Sequence, residues 1–243
     1  MLKISRSQFE ALEQATEARY RVRLAQELRR DLGSYLDDLS EPELEAFAIG
    51  MLTEARGLGF TTESEIAAFA RPCVVYGALS HRDPLFEPLF YAPLPGLGAR
   101  RRLSAAGVSA ATARVLKAEF ARRSGTQLII DLAKAFLTEG NPAPDPDAKL
   151  EKYFPERAAR LPPGAIEAHA VLAVREADRL GLSDPEARRV HGGVSQLLGA
   201  CFARDPLYPW AIAAFIGAST DARRISRLIA ALRAIALKAV AGA

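Results

Sequence analysis

The chain has 243 residues, of which 49% are hydrophobic and 25% charged, with a formal net charge of +3. This is enough for a full hydrophobic core, in one large domain or in two lobes of about 120 residues. No apolar run reaches the ~20 residues of a membrane span, the N-terminus lacks the apolar stretch of a signal peptide, and two cysteines are too few for a disulfide scaffold. We therefore expect a cytoplasmic protein without membrane association, in which Cys73 and Cys201 are buried and inert.

Capping residues and helical spacing of apolar residues predict helices along the whole chain. Serine or threonine caps precede the first three helices, at Ser7, Ser40 and Thr62, and Asp83 followed by Pro84 starts the fourth. The predicted helices, in chain order, cover 7–30, 41–58, 63 to 77 or 79, 84–91, 109–123, 126–137, 149–160, 163–180, 184–202, 206–217 and 220–240. No segment is predicted to be a strand, so the expected fold class is all-α.

Proline and glycine mark the breaks between these helices. Pro72 lies inside the third helix and predicts a kink, because proline removes a backbone hydrogen bond. Residues 93–102 are predicted to form a loop, and the proline-rich stretch 141–148 is predicted to be a linker. These breaks give a first helical repeat with a basic helical extension over 1–140 and a second helical repeat over 149–243.

An ungapped offset of 122 residues aligns the chain with itself. Thirteen of the 43 positions 44–86 are identical at this offset, and the identities concentrate at glycines and at an Arg-Asp-Pro-Leu motif. The matched structural residues are Gly59 with Gly181, Gly77 with Gly199, Asp83 with Asp205, and Pro84 with Pro206. A repeated fold retains residues of this kind, so we predict an internal duplication that gives two pseudo-symmetric helical lobes.

The three histidines do not have the spacing of a catalytic or metal site. At the offset of 122, His169 and His191 align with Phe47 and Phe69, which predicts that they replace packing aromatics. His81 lies in a turn, where capping or exposure to solvent is expected. The sequence has no HExxH motif, no phosphate-binding glycine loop and no nucleophile elbow. We therefore predict no enzymatic activity, no metal site and no cofactor, and an enzyme would require the histidines to converge with acids in space.

Positive charge is concentrated in two segments. Residues 98–125 have seven cations against one acid, a net of +6, and residues 221–243 have a net of +4. Such polarity favours an encounter with an acidic protein surface or with nucleic acid, and the alternative is the solvated face of ordinary amphipathic helices. The basic segments lack interleaved aromatics and any helix-turn-helix or zinc-finger spacing, which favours a protein partner.

Five stretches carry a family resemblance: Met1 to Phe9, Glu54 to Phe69, Tyr76-Gly77, Arg82 to Leu85, and Ala203 to Ala211. They resemble uncharacterised helical proteins encoded beside the spike and tip proteins of type VI secretion and related contractile injection systems. The similarity covers Met1 to Tyr91 and Ala165 to Ile216, and Phe86 to Leu89 departs from it by lacking a tryptophan. It implies an accessory role, as an effector chaperone or adaptor or as an immunity protein, and it implies no catalytic residue.

We predict that a protein partner, such as a secreted effector or a spike component, binds the groove between the lobes or the basic segment from Gly98 to Arg123. The candidate contact residues include four aromatic side chains that we expect to be exposed, and the full set is Arg100, Arg101, Arg102, Arg122, Arg123, Phe86, Phe90, Tyr208 and Trp210. A nucleic-acid-binding or regulatory protein that uses the same arginines is the alternative. The sequence leaves open the oligomeric state and the choice between chaperone and immunity protein.

Overall fold

Helices dominate this computed structural model, which describes residues 5–37, 39–93, 100–120, 150 and 154–241. The predicted all-α class is confirmed. None of the helices in these ranges combines the length and apolarity of a membrane span. The helices are α1 (Arg6–Leu32), α2 (Glu41–Gly57), α3 (Glu63–Tyr76), α4 (Ala105–Phe120), α5 (Pro155–Ala158), α6 (Ala165–Arg179), α7 (Pro185–Leu198), α8 (Pro209–Phe215) and α9 (Asp221–Ala241).

Three predictions of local structure require correction. The cap of α1 is Ser5, whose hydroxyl accepts from the Gln8 amide while the Gln8 side chain accepts from the Ser5 amide, so the predicted cap at Ser7 is wrong. A short antiparallel ribbon joins Tyr91–Pro93 (β1) to Arg100–Arg102 (β2), where a loop was expected. Strands of three residues are too short to show the alternation that identifies a strand in sequence.

The fourth predicted helix is a 3₁₀ helix at Pro84–Leu89, with Pro88 inside it. Further 3₁₀ turns lie at Gly33–Tyr35, Ser80–Arg82 and Phe202–Arg204. The caps at Ser40 and Thr62 are confirmed. The predicted helix over 126–137 and the predicted linker over 141–148 lie outside the described residues.

Helix α1 runs antiparallel to α2 and extends beyond its end. Glu17 of α1 pairs with Arg56 in the last turn of α2, and Arg29 pairs with Glu41 in the first turn. Tyr20, Leu24 and Leu28 are the large side chains that α1 contributes to the core. Every residue from 5 to 16 is exposed, so the N-terminal part of α1 projects beyond α2.

The buried hydrophobic residues form two clusters. One is built mainly from α1 to α4 and the turns at 80–89, and it also includes Leu150, Phe154 and Leu207. The other is built from α6 to α9 and includes Phe202, Phe215 and Leu228. The division of the chain into repeats at 141–148 remains a prediction, since the boundary itself lies outside the described ranges.

The local structure repeats at the offset found in the sequence. Glu63–Tyr76 and Pro185–Leu198 are both helices, and Ser80–Arg82 and Phe202–Arg204 are both 3₁₀ turns, each pair being 122 residues apart. We call residues 41–91 the first segment and residues 163–213 the second segment. This correspondence supports the predicted duplication.

Candidate functional site at the junction of the two segments

Asp83 and Asp205 link the two segments reciprocally. One carboxylate oxygen of Asp83 accepts from the Leu85 amide at 3.0 Å, and the other accepts from the Ala200 amide of the second segment at 2.7 Å. Asp205 accepts from the Leu207 amide at 2.9 Å and from the Leu79 amide of the first segment at 3.4 Å. Both carboxyl groups are buried. Each aspartate therefore caps its own turn, as predicted, and also binds the backbone of the other segment.

Two glycines make this exchange possible. Gly77 has φ +105° and Gly199 has φ +88°, both with ψ near 150°, a backbone conformation that is essentially restricted to glycine. A Cβ atom on Gly77 would lie 2.8 Å from Oδ2 of Asp205, and one on Gly199 would lie 3.5 Å from Oδ2 of Asp83. Both glycines therefore end their helices, and at Gly77 the missing side chain also leaves room for the Asp205 carboxylate.

His169 adds to this junction at Asp83 and not at Asp205. Its Nδ1 lies 2.9 Å from Oδ1 of Asp83 and its Nε2 lies 3.2 Å from Oγ of Ser195, which also lies 2.7 Å from the Gly192 carbonyl. The Ser195 hydroxyl donates to the Gly192 carbonyl, and the two ring nitrogens of His169 lie between this hydroxyl and the Asp83 carboxyl group.

An acid, a histidine and a serine linked in this order by hydrogen-bond contacts are also the groups of a nucleophilic triad. Here Asp83, His169 and Ser195 are at most 2% exposed, and the serine is packed inside α7. In this conformation the Ser195 hydroxyl is not accessible to a substrate. The arrangement holds α6 and α7 against the turn at Asp83 through hydrogen bonds of His169, rather than through the aromatic packing that its alignment with Phe47 predicted.

A glutamate and an arginine form an ion pair at matched positions in each segment. Glu54 pairs with Arg82, and Glu176 pairs with Arg204 through an Nε to Oε2 contact of 2.8 Å. His81 also bonds Glu54 through Nε2 at 3.0 Å and is buried, so its expected exposure to solvent is wrong. Burial lowers the pKa of His81, although Glu54 acts in the opposite direction. The hydrogen bond to Arg82 lowers the pKa of Glu54.

A half-open pocket of about 480 Å³ lies beside the first of these pairs. Its walls include positive and negative groups, so it does not select one sign of charge. The lining residues are His81, Arg82, Asp83, Pro84, Glu87 and Tyr91. In the described ranges, no three histidine, cysteine, aspartate or glutamate side chains are grouped as a metal site requires.

His191 lies in the second hydrophobic cluster, as its alignment with Phe69 predicted. Its ring centroid is 5.0 Å from that of Phe202 and 6.3 Å from that of Phe215. Neither ring nitrogen has a hydrogen-bond partner, and burial lowers the pKa of His191 to about 4. His191 is therefore neutral near pH 7 and packs as an aromatic ring.

The predicted contact aromatics are less accessible than expected. Phe86 and Phe90 are 1% and 2% exposed, so their expected exposure is wrong. Phe86 packs on Tyr76 with ring centroids 5.3 Å apart, because the 3₁₀ turn directs it inward. Tyr208 and Trp210 are half-buried and pack on each other with centroids 5.9 Å apart.

The predicted contact arginines have different environments. Arg101 is exposed, whereas the Arg102 guanidinium lies 4.2 Å from the Phe60 ring centroid and donates to the Leu58 carbonyl at the end of α2. The backbone of Arg100 pairs with Pro93 in the ribbon, and Arg122 and Arg123 lie outside the described residues. Arg102 is therefore occupied by contacts within the fold.

Sequence reasoning missed the counterpart of Arg102. Arg224, 122 residues later, donates to the Leu180 carbonyl at 2.8 Å, and Leu180 is in turn 122 residues after Leu58. The sequence does contain this correspondence, since Arg102 and Arg224 align at the offset of 122, outside the aligned positions 44–86. Each arginine thus stabilises the end of the corresponding helix.

Cys73 and Cys201 are buried free thiols, as predicted. Burial raises the pKa of both thiols, that of Cys201 to about 11. A protonated, buried thiol is a poor nucleophile and metal ligand.

Among the helix surfaces of the described residues, two expose more than one large apolar side chain within a single turn. The first is the projecting part of α1, where Phe9 and Leu12 are 55% and 57% exposed. The second is the outer face of α6, formed by Ala170, Val171 and Val174, in which both valines are more than half exposed. Neither surface was identified from the sequence, because helical spacing does not distinguish a covered apolar face from an uncovered one.

Comparison with protein-family models, characterised proteins and solved structures found no match for this chain. The resemblance to a secretion-associated family therefore remains a prediction from short motifs.

Proposed function

We propose that this chain is a non-enzymatic helical protein that binds a protein partner, and that the outer face of α6 receives a helix of that partner. The carrying observation is the difference between matched faces of α2 and α6. Ala48 and Leu52 of α2 are 0% and 2% exposed, whereas Ala170 is exposed and Val174 is 54% exposed at the matched positions. The third matched pair, Ile49 and Val171, is exposed in both helices, so the difference lies at the first two pairs.

Helix α1 explains why the α2 face is buried. Its ion pairs with both ends of α2 place Tyr20, Leu24 and Leu28 along that face, and Tyr20 also donates to the Glu63 carbonyl at 2.7 Å. The α6 face has the same apolar character, and no helix among the described residues covers it in this way. An amphipathic helix is the element that fits a face of this kind, because an apolar stripe can bury these side chains.

The chemistry of the junction gives further support to a binding role. His81, His169 and Asp83 each bond a neighbouring side chain or backbone amide, and His191 is enclosed by aromatic rings. In the secretion setting that the sequence resemblance implies, the partner is a secreted effector or a spike component. The protein is then either a chaperone or adaptor for an effector or an immunity protein.

Co-purification with the products of neighbouring genes tests this proposal. The bait is the full chain as wild type, as Val174→Glu and as Val22→Glu, the last placing the same charge on an exposed position of α1. We expect wild type and Val22→Glu to retain a partner and Val174→Glu to lose it, since a charge in an apolar contact is costly to bury. A folded wild-type chain that retains none of these products contradicts the proposal.

A further inference from the structure

Helix α1 completes the first segment by contacting both α2 and α3. It pairs with α2 through Glu17 and Arg56, and it bonds α3 through the Tyr20 hydroxyl, which donates to the Glu63 carbonyl. The large buried side chains of its apolar stripe, four residues apart, are Tyr20, Leu24 and Leu28. The first segment therefore has two helices and a third that covers them.

The sequence does not repeat this stripe for the second segment. The residues 122 positions after Tyr20 and Leu24 are Pro142 and Pro146, and proline is disfavoured inside helices. Leu150, which is 122 positions after Leu28, is buried in the first hydrophobic cluster. The stripe that covers α2 thus has no equivalent for α6 at the matched positions of the sequence.

The uncovered surface of the second segment includes a position on α7. Ala70 of α3 is 0% exposed, whereas the matched Gly192 of α7 is partly exposed, and a Cβ atom on Gly192 would meet open space. Gly192 thereby adds an uncovered position on α7 to Ala170 and Val174 on α6. Small residues let another backbone approach closely.

Two exposed charges of α6 match polar residues that stay exposed beside α1. The matched pairs are Glu167 with Glu45 and Arg175 with Thr53, and all four residues are exposed. A helix in the position of α1 therefore leaves the charges on Glu167 and Arg175 in water. At the end of α6, Arg179 is bonded to the buried Glu176.

Asp178 reverses the charge that such a helix meets. Asp178 matches Arg56, which pairs with Glu17 of α1 in the first segment. Its side chain is 55% exposed and also pairs with Arg188 of α7. A helix on α6 thus meets a carboxylate where α1 meets a guanidinium, so a base is favoured there and an acid is disfavoured.

We propose that the helix of the partner takes on α6 and α7 the position that α1 takes on α2 and α3, and so completes the second segment. It runs antiparallel to α6, has large apolar side chains at intervals of four residues, and carries a basic residue near Asp178. The inference rests on the proposed function, which assigns the α6 face to a helix of another protein, and adds the direction, spacing and charge of that helix.

A synthetic peptide with the α1 sequence from Glu13 to Leu32 probes this site on the full chain, with binding measured by fluorescence anisotropy. The Glu17→Arg peptide should bind wild type about two- to fivefold more tightly than the unchanged peptide, because it removes a like charge near Asp178. In the chain, Val174→Glu should weaken binding of both peptides at least ~10-fold, and Val22→Glu should not. Both valines are exposed, so far-UV circular dichroism should show an unchanged fold.

Asp178→Arg gives α6 the charge that α2 has at Arg56, so it should reverse the preference and favour the unchanged peptide. Peptide binding that Val174→Glu leaves intact overturns the inference, and so does a preference that Asp178→Arg leaves unreversed. If neither peptide binds while a neighbouring gene product is retained through Val174, the inference alone is refuted. If the peptides bind as expected and no product is retained, only the proposed function is refuted.

Discussion

Replacing Asp83 by alanine tests the junction between the segments. The substitution leaves the buried amides of Leu85 and Ala200, and Nδ1 of His169, without their acceptor. A buried donor without a partner costs about 1 to 3 kcal/mol. Counting only the two backbone amides, the free energy of unfolding should fall by about 2 to 6 kcal/mol.

The chain contains a matched control for this substitution. Asp184 also precedes a proline and caps a helix, accepting from the Ala187 amide at 2.9 Å, but it is exposed. Its contact outside the second segment is made by its backbone amide, which donates to Asp221 and remains in the alanine variant. Asp184→Ala should cost about 1 kcal/mol, the usual value for loss of an N-cap. Both variants are compared with wild type by urea unfolding, followed by far-UV circular dichroism.

Asp83→Asn is a milder second variant. It keeps the shape of the side chain and one acceptor oxygen, but its NH₂ group replaces the other oxygen and lies opposite a donor. Its loss of stability should lie between those of Asp184→Ala and Asp83→Ala, which keeps the test informative if the alanine variant does not fold. If Asp83→Ala costs no more than Asp184→Ala, Asp83 acts only as a local cap and the reasoning is refuted.

Three further predictions concern stability. The lowered pKa of His191 means that the unfolded state binds more protons, so its contribution to stability is complete above about pH 6.5 and is lost toward pH 4. Between pH 6.5 and pH 4 the wild type should lose about 3 kcal/mol of unfolding free energy through His191, and His191→Phe should not show this loss. The same pH dependence of unfolding in both proteins would contradict the prediction. Gly77→Ala should lower the free energy of unfolding by at least ~2 kcal/mol, because of backbone strain and the contact with Asp205. Gly50→Ala has open space inside α2 and should raise the free energy of unfolding by about 0.5 to 1 kcal/mol. Equal unfolding temperatures for the two variants would contradict this. Arg102→Ala should cost about 1 to 2 kcal/mol in urea unfolding and Arg101→Ala almost nothing, and similar costs for both refute the helix-end role.

The sequence predicts local structure well where the determinant is local. Ser40, Thr62 and the glycines at 59 and 77 lie where the caps and helix ends were expected, because each acts on the backbone within a few residues. The start of α1 was misplaced because two overlapping capping signals begin at Ser5 and Ser7. Both are sterically acceptable, and the sequence does not rank them.

The junction could be predicted only in part. The repetition of Asp83 and Asp205 was visible, and a local cap was a sufficient reason for it, since each aspartate does accept from the amide two residues later. A local pattern does not reveal where the second carboxylate oxygen points. The sequence does contain one signal of the contact between the segments: Asp83 and Asp205 are repeated together with Gly77 and Gly199.

Exposure of side chains was the least predictable property. Phe86 and Phe90 were expected to be exposed on an α-helix, and the 3₁₀ turn with Pro88 directs them into the core instead. Val174 occupies the position matched to buried Leu52, and its exposure depends on whether another helix covers α6. That information is tertiary and is not contained in the spacing of residues along α6.

Thiol labelling of Val174→Cys in the purified complex with its partner tests the binding role of α6 most directly. Cys73 and Cys201 are buried, so the introduced thiol is the reactive one among the described residues. The account predicts that the partner slows labelling at this position and leaves labelling of Val22→Cys unchanged. Equal labelling of Val174→Cys in the free protein and in a stable complex would contradict the assignment of the α6 face as the binding surface.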